Sequence, residues 1–157
     1  MQLKKLMVDV KEVWTDFPGL PGFRVKVANL SRKELTNLRK RCTSQKFDRK
    51  TRQLVETLDE DKFIVEFSRS VIKGWEGLTL EHLETLLLID TDGKDMAEEL
   101  PFNEENAEAL VSSSTEFDTW LNEVVFDLDN FRSGSEGGSD GETGAPVQTR
   151  RRKDDSG

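Results

Sequence analysis

Tyrosine is absent from this chain of 157 residues, and cysteine and histidine occur once each, as Cys42 and His82. One cysteine cannot form an internal disulfide, and one cysteine with one histidine cannot build a structural zinc site of the Cys/His type. A Cys–His nucleophile pair would need these two residues to meet. Most catalytic arrangements thus lack their residue types, so the chain is expected to act by binding alone, with no catalytic residue, cofactor or metal. Long apolar runs are missing too: the longest is residues 86–89, against the ~18 that a membrane span requires. Two lysines near the start are not followed by the apolar stretch of about 7–15 residues that marks a signal peptide. Together these absences predict a cytoplasmic protein with no membrane partner, in a compartment where a lone thiol stays reduced.

The residues AVILMFWYC make up 34% of the chain, with 11 glycines besides, a little under the ~45–50% apolar-plus-glycine share of ordinary globular domains. At roughly 100–200 residues per domain, the length fits one globular domain, residues 1–132, and an appendage, residues 133–157. The appendage, SGSEGGSDGETGAPVQTRRRKDDSG, holds six glycines and a single aliphatic residue larger than alanine, Val147. It has too little apolar area to offset the entropy of ordering it and is expected to be a disordered tail. The net charge of −8 is unevenly spread, at +2 over residues 1–31, +7 over 32–55, −16 over 56–132 and −1 over 133–157.

Hydrophobic periodicity predicts the elements. Leu6, Val8 and Val10 alternate with Met7 and Asp9, and Phe23, Val25 and Val27 with Arg24 and Lys26, the period of half-buried strands. The turn-rich DFPGLPG lies between them, so an N-terminal hairpin or strand pair is expected. Ser31 and Glu34 form a capping box for a first helix over residues 32–42, with Leu35, Leu38 and Cys42 on its apolar stripe. Residues 43–58 lack a helical period and read as a short basic hairpin or an ordered loop. Asp59 caps a second helix carrying Phe63, Phe67, Val71 and Trp75, and Thr79 caps a third with Leu80, Leu83 and Leu87, stopped at Asp92-Gly93. Asn103 caps a fourth, residues 104–113. Ser114 or Thr115 caps a fifth, which carries Phe117, Trp120, Leu121, Val124, Val125, Leu128 and Phe131 over about four turns. The predicted class is α+β, mainly α, with about five helices.

Several residues invite a chemical role. His82 lies between Glu81 and Glu84, but a metal site needs converging ligands and no second histidine exists. Asp90 to Asp95 sets out carboxylates like a calcium loop, yet its glycine stands at position 4 and position 12 is Pro101, so a plain acidic turn is expected. The basic stretch offers Arg39, Lys40, Arg41, Lys46, Arg49, Lys50 and Arg52 to phosphates. With Phe47 its one aromatic and the acidic segment following, nucleic acid is disfavoured beside a solvated face or a docking surface for an acidic protein patch. One such patch is the chain's own C-terminal half, which allows head-to-tail self-association. The run 150–153 is blunted by Asp154-Asp155 and reads as solubilising charge, and Cys42 reads as a small core residue. The face of the fifth helix reads as core with an exposed rim at Phe117 and Trp120. The partner-binding candidates are accordingly Phe117, Trp120, Leu121, Val124 and Leu128, with Arg39, Arg41, Lys46, Arg49 and Arg52.

Three stretches, taken in order, carry a resemblance. Residues 23–27 (FRVKV) lead into the capped LSRKEL of 30–35. Cys42-Thr43, Lys46-Phe47-Asp48, Thr51 and Asp59 precede Ile72-Lys-Gly-Trp75-Glu-Gly77-Leu78. Glu99-Leu100-Pro101-Phe102-Asn103 then runs into Asn106, a loop and Phe117. Over residues 20–132 the chain resembles the tail assembly chaperones of long-tailed bacteriophages. The resemblance implies a protein of the host cytoplasm, absent from the mature virion, that shields the tape measure protein and helps recruit tail tube subunits. Such proteins are often made in two lengths by ribosomal frameshifting. It also implies that Trp75, Gly77, Leu78, Pro101, Phe102 and Asn106 are motif residues serving the fold, Trp75 as a core anchor and Pro101-Phe102 as the lead-in to the fourth helix. The leucine-rich stretch 80–89 departs from the pattern by separating the Trp75-Gly77 motif from the Asp92-Gly93 turn. Other readings are a minor tail or tail completion protein retained in the virion, and a nucleic-acid-binding regulator.

Overall fold

The computed structural model describes residues 1–7 and 11–132. The expected tail, 133–157, lies outside the described residues, as do Val8 and Val10 of the expected first strand. The elements run α1 (Leu3–Leu6), β1 (Glu12–Asp16), β2 (Arg24–Ala28), α2 (Arg32–Arg41), β3 (Thr43–Asp48), β4 (Gln53–Leu58), α3 (Glu60–Val71), β5 (Ile72–Glu76), α4 (Leu80–Leu86), α5 (Glu104–Ser113), α6 (Thr115–Val125) and α7 (Asp129–Arg132). The fold is α+β with a helical majority, as predicted. Its strands form a three-stranded sheet, β1-β2-β5, and a separate two-stranded sheet, β3-β4.

β1 and β2 pair antiparallel from Glu12↔Ala28 to Asp16↔Arg24. The turn between them is held by Phe17 N–H donating to the Phe23 carbonyl at 3.0 Å and Phe23 N–H donating to that of Leu20 at 3.1 Å. The strand pair is therefore present, but Leu6 belongs to the short exposed helix α1 and the strand starts at Glu12. Pairing explains the difference: Val13 stands opposite Val27 and both are buried, whereas Leu6 is exposed.

Trp75 is not on a helix. α3 ends at Val71 and the chain turns extended to form β5 on the other edge of β2, with Val25↔Trp75, Lys26↔Gly74 and Val27↔Ile72 in register. The backbone groups along that edge of β2 need partners, and a strand supplies them where a longer helix would not. Trp75 is buried edge-on against Phe102, 5.2 Å between ring centres, and its indole N–H donates to the Leu100 carbonyl at 2.9 Å.

α4 is shorter than expected. Leu87 is already extended and Leu88 is fully exposed, so the leucine run leaves the helix well before Asp92. The returning loop lies across the start of α4, Leu80 N–H donating to Glu98 O at 2.9 Å and Leu100 N–H to Leu78 O at 2.7 Å. These bonds join the Trp75-Gly77-Leu78 and Leu100-Pro101-Phe102 motifs into one unit. Asn106 completes it by donating from Nδ2 to the Pro101 carbonyl at 2.9 Å while Asn103 Oδ1 accepts the Asn106 N–H at 2.7 Å.

The last long helix also divides. α6 stops at Val125, and Phe131 sits in the separate turn α7. Asp127 Oδ1 accepts the Asp129 N–H at 3.0 Å, a local bond that competes with helix continuation, and Asn130 Nδ2 donates to the Val124 carbonyl at 3.1 Å. At the other end the cap is Ser114, which is buried and whose Oγ accepts the Phe117 N–H at 3.2 Å. Ser114→Ala is expected to destabilise the domain by about 1–2 kcal/mol, since it removes the cap and strands a buried amide. Urea denaturation measures this, and a loss indistinguishable from zero would show that the cap contributes nothing.

α3 packs against β2 and β5 of the three-stranded sheet, α5 packs on α3 and α6, and α7 meets β1. The core is aromatic at its centre, where Phe17, Phe23, Phe117 and Trp120 pack with ring centres 4.9–6.3 Å apart.

Candidate functional site

Of the eleven large apolar side chains exposed among the described residues, four lie within residues 1–7 and four share one pair of strands. Phe47 is 61% exposed, Leu54 66%, Val55 43% and Leu58 38%, all on the hairpin β3-β4. Local chemistry builds this hairpin outward from the body. Ser31 and Glu34 form the capping box of α2, with bonds of 3.0 and 3.1 Å. Beyond Cys42 the chain becomes extended, and Thr43 Oγ1 donates back to the Arg39 carbonyl at 2.6 Å. Asp59 N–H donates to Cys42 O at 2.8 Å, closing the base, while the Asp59 carboxylate caps α3 through Lys62 N–H at 3.1 Å. Register runs from Thr43↔Leu58 through Phe47↔Leu54 to Asp48↔Gln53. At the tip, Arg52 takes a left-handed conformation (φ 56°), which lets its N–H donate to Asp48 O at 2.7 Å.

The expected basic residues divide into two groups. Arg41 pairs with Glu66 at 3.2 Å and Arg39 lies over the Phe63 ring at 5.9 Å, so both help fasten α2 to α3. Lys46, Arg49, Lys50 and Arg52 sit on the hairpin, and among the described residues no ion pair involves them. Immediately past the base, Asp59, Glu60 and Asp61 open α3, where acids are favoured by the helix dipole. The hairpin thus carries a basic tip, an apolar middle and an acidic root.

The expected rim on the fifth helix is not there. Phe117 and Leu121 are fully buried and Trp120 is 9% exposed, all facing the core. Val124 is half-buried, and Leu128 is exposed but follows the end of α6. These residues are not brought together with the basic tip. Trp75, Leu78 and Phe102 pack in or against the core, and Gly77 and Asn106 shape the backbone around them.

The other candidates are engaged locally. Cys42 is buried, and that burial, with Glu66 nearby, pushes its thiol pKa up, keeping it protonated and unreactive. His82 is the third residue of α4: its N–H donates to Thr79 Oγ1 at 3.2 Å and its Nδ1 lies 3.0 Å from the Gly77 carbonyl. Asp90 and Asp95 each accept a backbone N–H two residues on, from Asp92 and Ala97. Among the described residues no three His, Cys, Asp or Glu side chains converge as for a metal, and no helix is long and apolar enough to cross a membrane.

The sequence alone does not single out Leu54, Val55 and Leu58 as surface residues. Their only signal is the absence of a buried period in 43–58, which a loop shares. No curated protein and no solved structure matches the chain. The family model described as YdaY prophage protein matches residues 29–137, more than half of the chain and all of it from α2 to α7, so the protein belongs to that prophage family.

Proposed function

We propose that this prophage protein is a tail assembly chaperone, which binds the tape measure protein, keeps it soluble and helps recruit tail tube subunits by contact alone. It works in the host cytoplasm and is left out of the mature virion. The observation that carries the reading is the hairpin, where Phe47, Leu54 and Val55 stand exposed beside Lys46 and the tip bases. A long, aggregation-prone helical client needs an apolar surface to lie against and charge to hold the complex in solution. The hairpin supplies the first, and the −16 of residues 56–132 supplies the second.

Co-expression with the tape measure protein encoded downstream tests this. The client is expected to move from the insoluble to the soluble fraction, and Phe47→Ser with Leu54→Ser is expected to abolish the effect without lowering the melting temperature. A client equally insoluble with and without the protein overturns the reading. Mass analysis of purified virions is expected to find the chain absent, and stoichiometric copies there would make it a structural tail component instead.

A further inference from the structure

We propose that the hairpin is a self-pairing arm: two copies of the chain join antiparallel through the free edge of β4, making a four-stranded sheet β3-β4-β4-β3 about a two-fold axis at Val55. Among the described residues each strand of the sheet β3-β4 is paired on one side only, so half of the backbone N–H and C=O groups of β4 point outward along an open edge. All six residues of β4 are exposed. A lone two-stranded hairpin is at best marginal in water, and an open edge with apolar side chains is a template for another strand.

Two features select β4 over β3. β3 carries Lys46 in its middle and ends in Asp48, and a central lysine is a common device for refusing edge pairing. β4 reads QLVETL, with Glu56 its single charge. The same residues select the register. Centring on Glu56 would set two carboxylates directly opposite, whereas centring on Val55 pairs two β-branched side chains and sets Leu54 opposite Glu56 of the second copy.

Charge then fixes the direction. β4 runs from the basic tip, Arg49, Lys50 and Arg52, to the acidic root, Asp59, Glu60 and Asp61. Val55 lies three residues from Arg52 and three from Leu58. An antiparallel copy centred there brings each tip alongside the other copy's root, twice over by symmetry. Among the described residues, neither the tip bases nor Glu60 and Asp61 are engaged in an ion pair. The charge asymmetry of the whole chain would allow an open head-to-tail contact, but both signs on one arm make a contact that closes on itself. This pairing does not depend on which client the protein serves.

Sedimentation velocity of the full chain over a concentration series, at low and high salt, is the test. A dimer that weakens as salt rises is expected. Arg49→Glu with Lys50→Glu, or Glu60→Lys with Asp61→Lys, is expected to raise the dissociation constant roughly tenfold to a hundredfold, since exposed pairs are individually weak but each counts twice. Mixing the two variants, or combining all four substitutions in one chain, restores the dimer. Val55→Cys is expected to cross-link to a dimer on mild oxidation, because directly opposed Cβ atoms in an antiparallel pair lie about 4.5–5.5 Å apart. Gln53→Cys, offset from its own copy, is expected not to cross-link, and the buried Cys42 gives no background. A strict monomer at low salt, a dimer indifferent to both reversals, reversals that do not rescue each other, or equal cross-linking at 53 and 55 would each overturn the pairing. So would a monomer whose hairpin variants lose client solubilisation, which would give the edge to the client. Should the Glu60 and Asp61 variant fail to fold, the cysteine pair still decides.

Discussion

Gly77→Ala is expected to destabilise the domain by about 3–5 kcal/mol, combining a left-handed backbone penalty of about 1–2 kcal/mol with the cost of forcing atoms into filled space. Gly77 has φ +74°, and a Cβ there would meet the Gly22 carbonyl oxygen and sit 2.8 Å from the Gly22 carbonyl carbon. The obstruction is backbone, in the turn that joins β1 to β2, so no side-chain rotation relieves it. Two tight connections therefore cross at this point, one leaving β5 and the other entering β2, and only hydrogen at Cα lets them. Gly93 separates the two contributions. It has φ +75°, and a Cβ added there would meet nothing within 4 Å, so Gly93→Ala should cost only about 1–2 kcal/mol. Equilibrium denaturation of both variants measures the difference, and equal losses would refute the close approach at Gly77.

What is legible in the sequence is mostly what local chemistry decides. Ser31 with Glu34, Asp59 before Lys62, Thr79 before His82 and Asn103 before Asn106 each satisfy orphan amides at a helix start, and all four caps stand where the sequence places them. The same holds for the first and fourth helices, whose bounds differ by no more than a residue from those predicted. Trp75 is not legible because its placement is a long-range matter. The spacing Phe63, Phe67, Val71, Trp75 continues a helical stripe, and nothing within those residues announces that β2, nearly fifty positions earlier, has an open edge to fill. The end of α6 is hidden for the opposite reason: Asp127 ends the helix through a bond within three residues, but apolar residues continuing to Phe131 keep the helical period going in the sequence.

The candidate site divides in the same way. The ordered motifs at 72–78 and 99–106 point to a phage protein, which membership of a prophage family supports, and they are one hydrogen-bonded unit around Trp75. The tip bases are visible as a charge run. The apolar middle is not, because strands buried on neither face give no alternation to read. An amphipathic stripe, conversely, shows that one face is apolar without saying what covers it. On α6 the cover is Phe17 and Phe23, roughly a hundred residues away in the chain, which no local pattern reveals.

That burial makes Phe117 a test of which surface serves a client. Its ring is fully buried, stacked 5.9 Å from Phe17 and 6.3 Å from Phe23 and packed 5.6 Å from Trp120. Phe117→Ala removes the ring from the middle of this cluster, and the three remaining rings, held by the β1–β2 turn, the start of β2 and α6 itself, cannot all collapse into the gap. The expected loss is about 3–5 kcal/mol, a large part of the about 5–15 kcal/mol available to a domain of this kind. Phe47→Ser changes an exposed side chain and should shift stability by no more than about 0.5 kcal/mol. The two variants therefore separate folding from contact. Phe117→Ala should lower the melting temperature and lose client solubilisation only in step with unfolding, whereas Phe47→Ser should lose solubilisation with the melt intact. A Phe117→Ala protein of undiminished stability that no longer holds a client in solution would place that ring at a partner interface and overturn the assignment of α6 to the core.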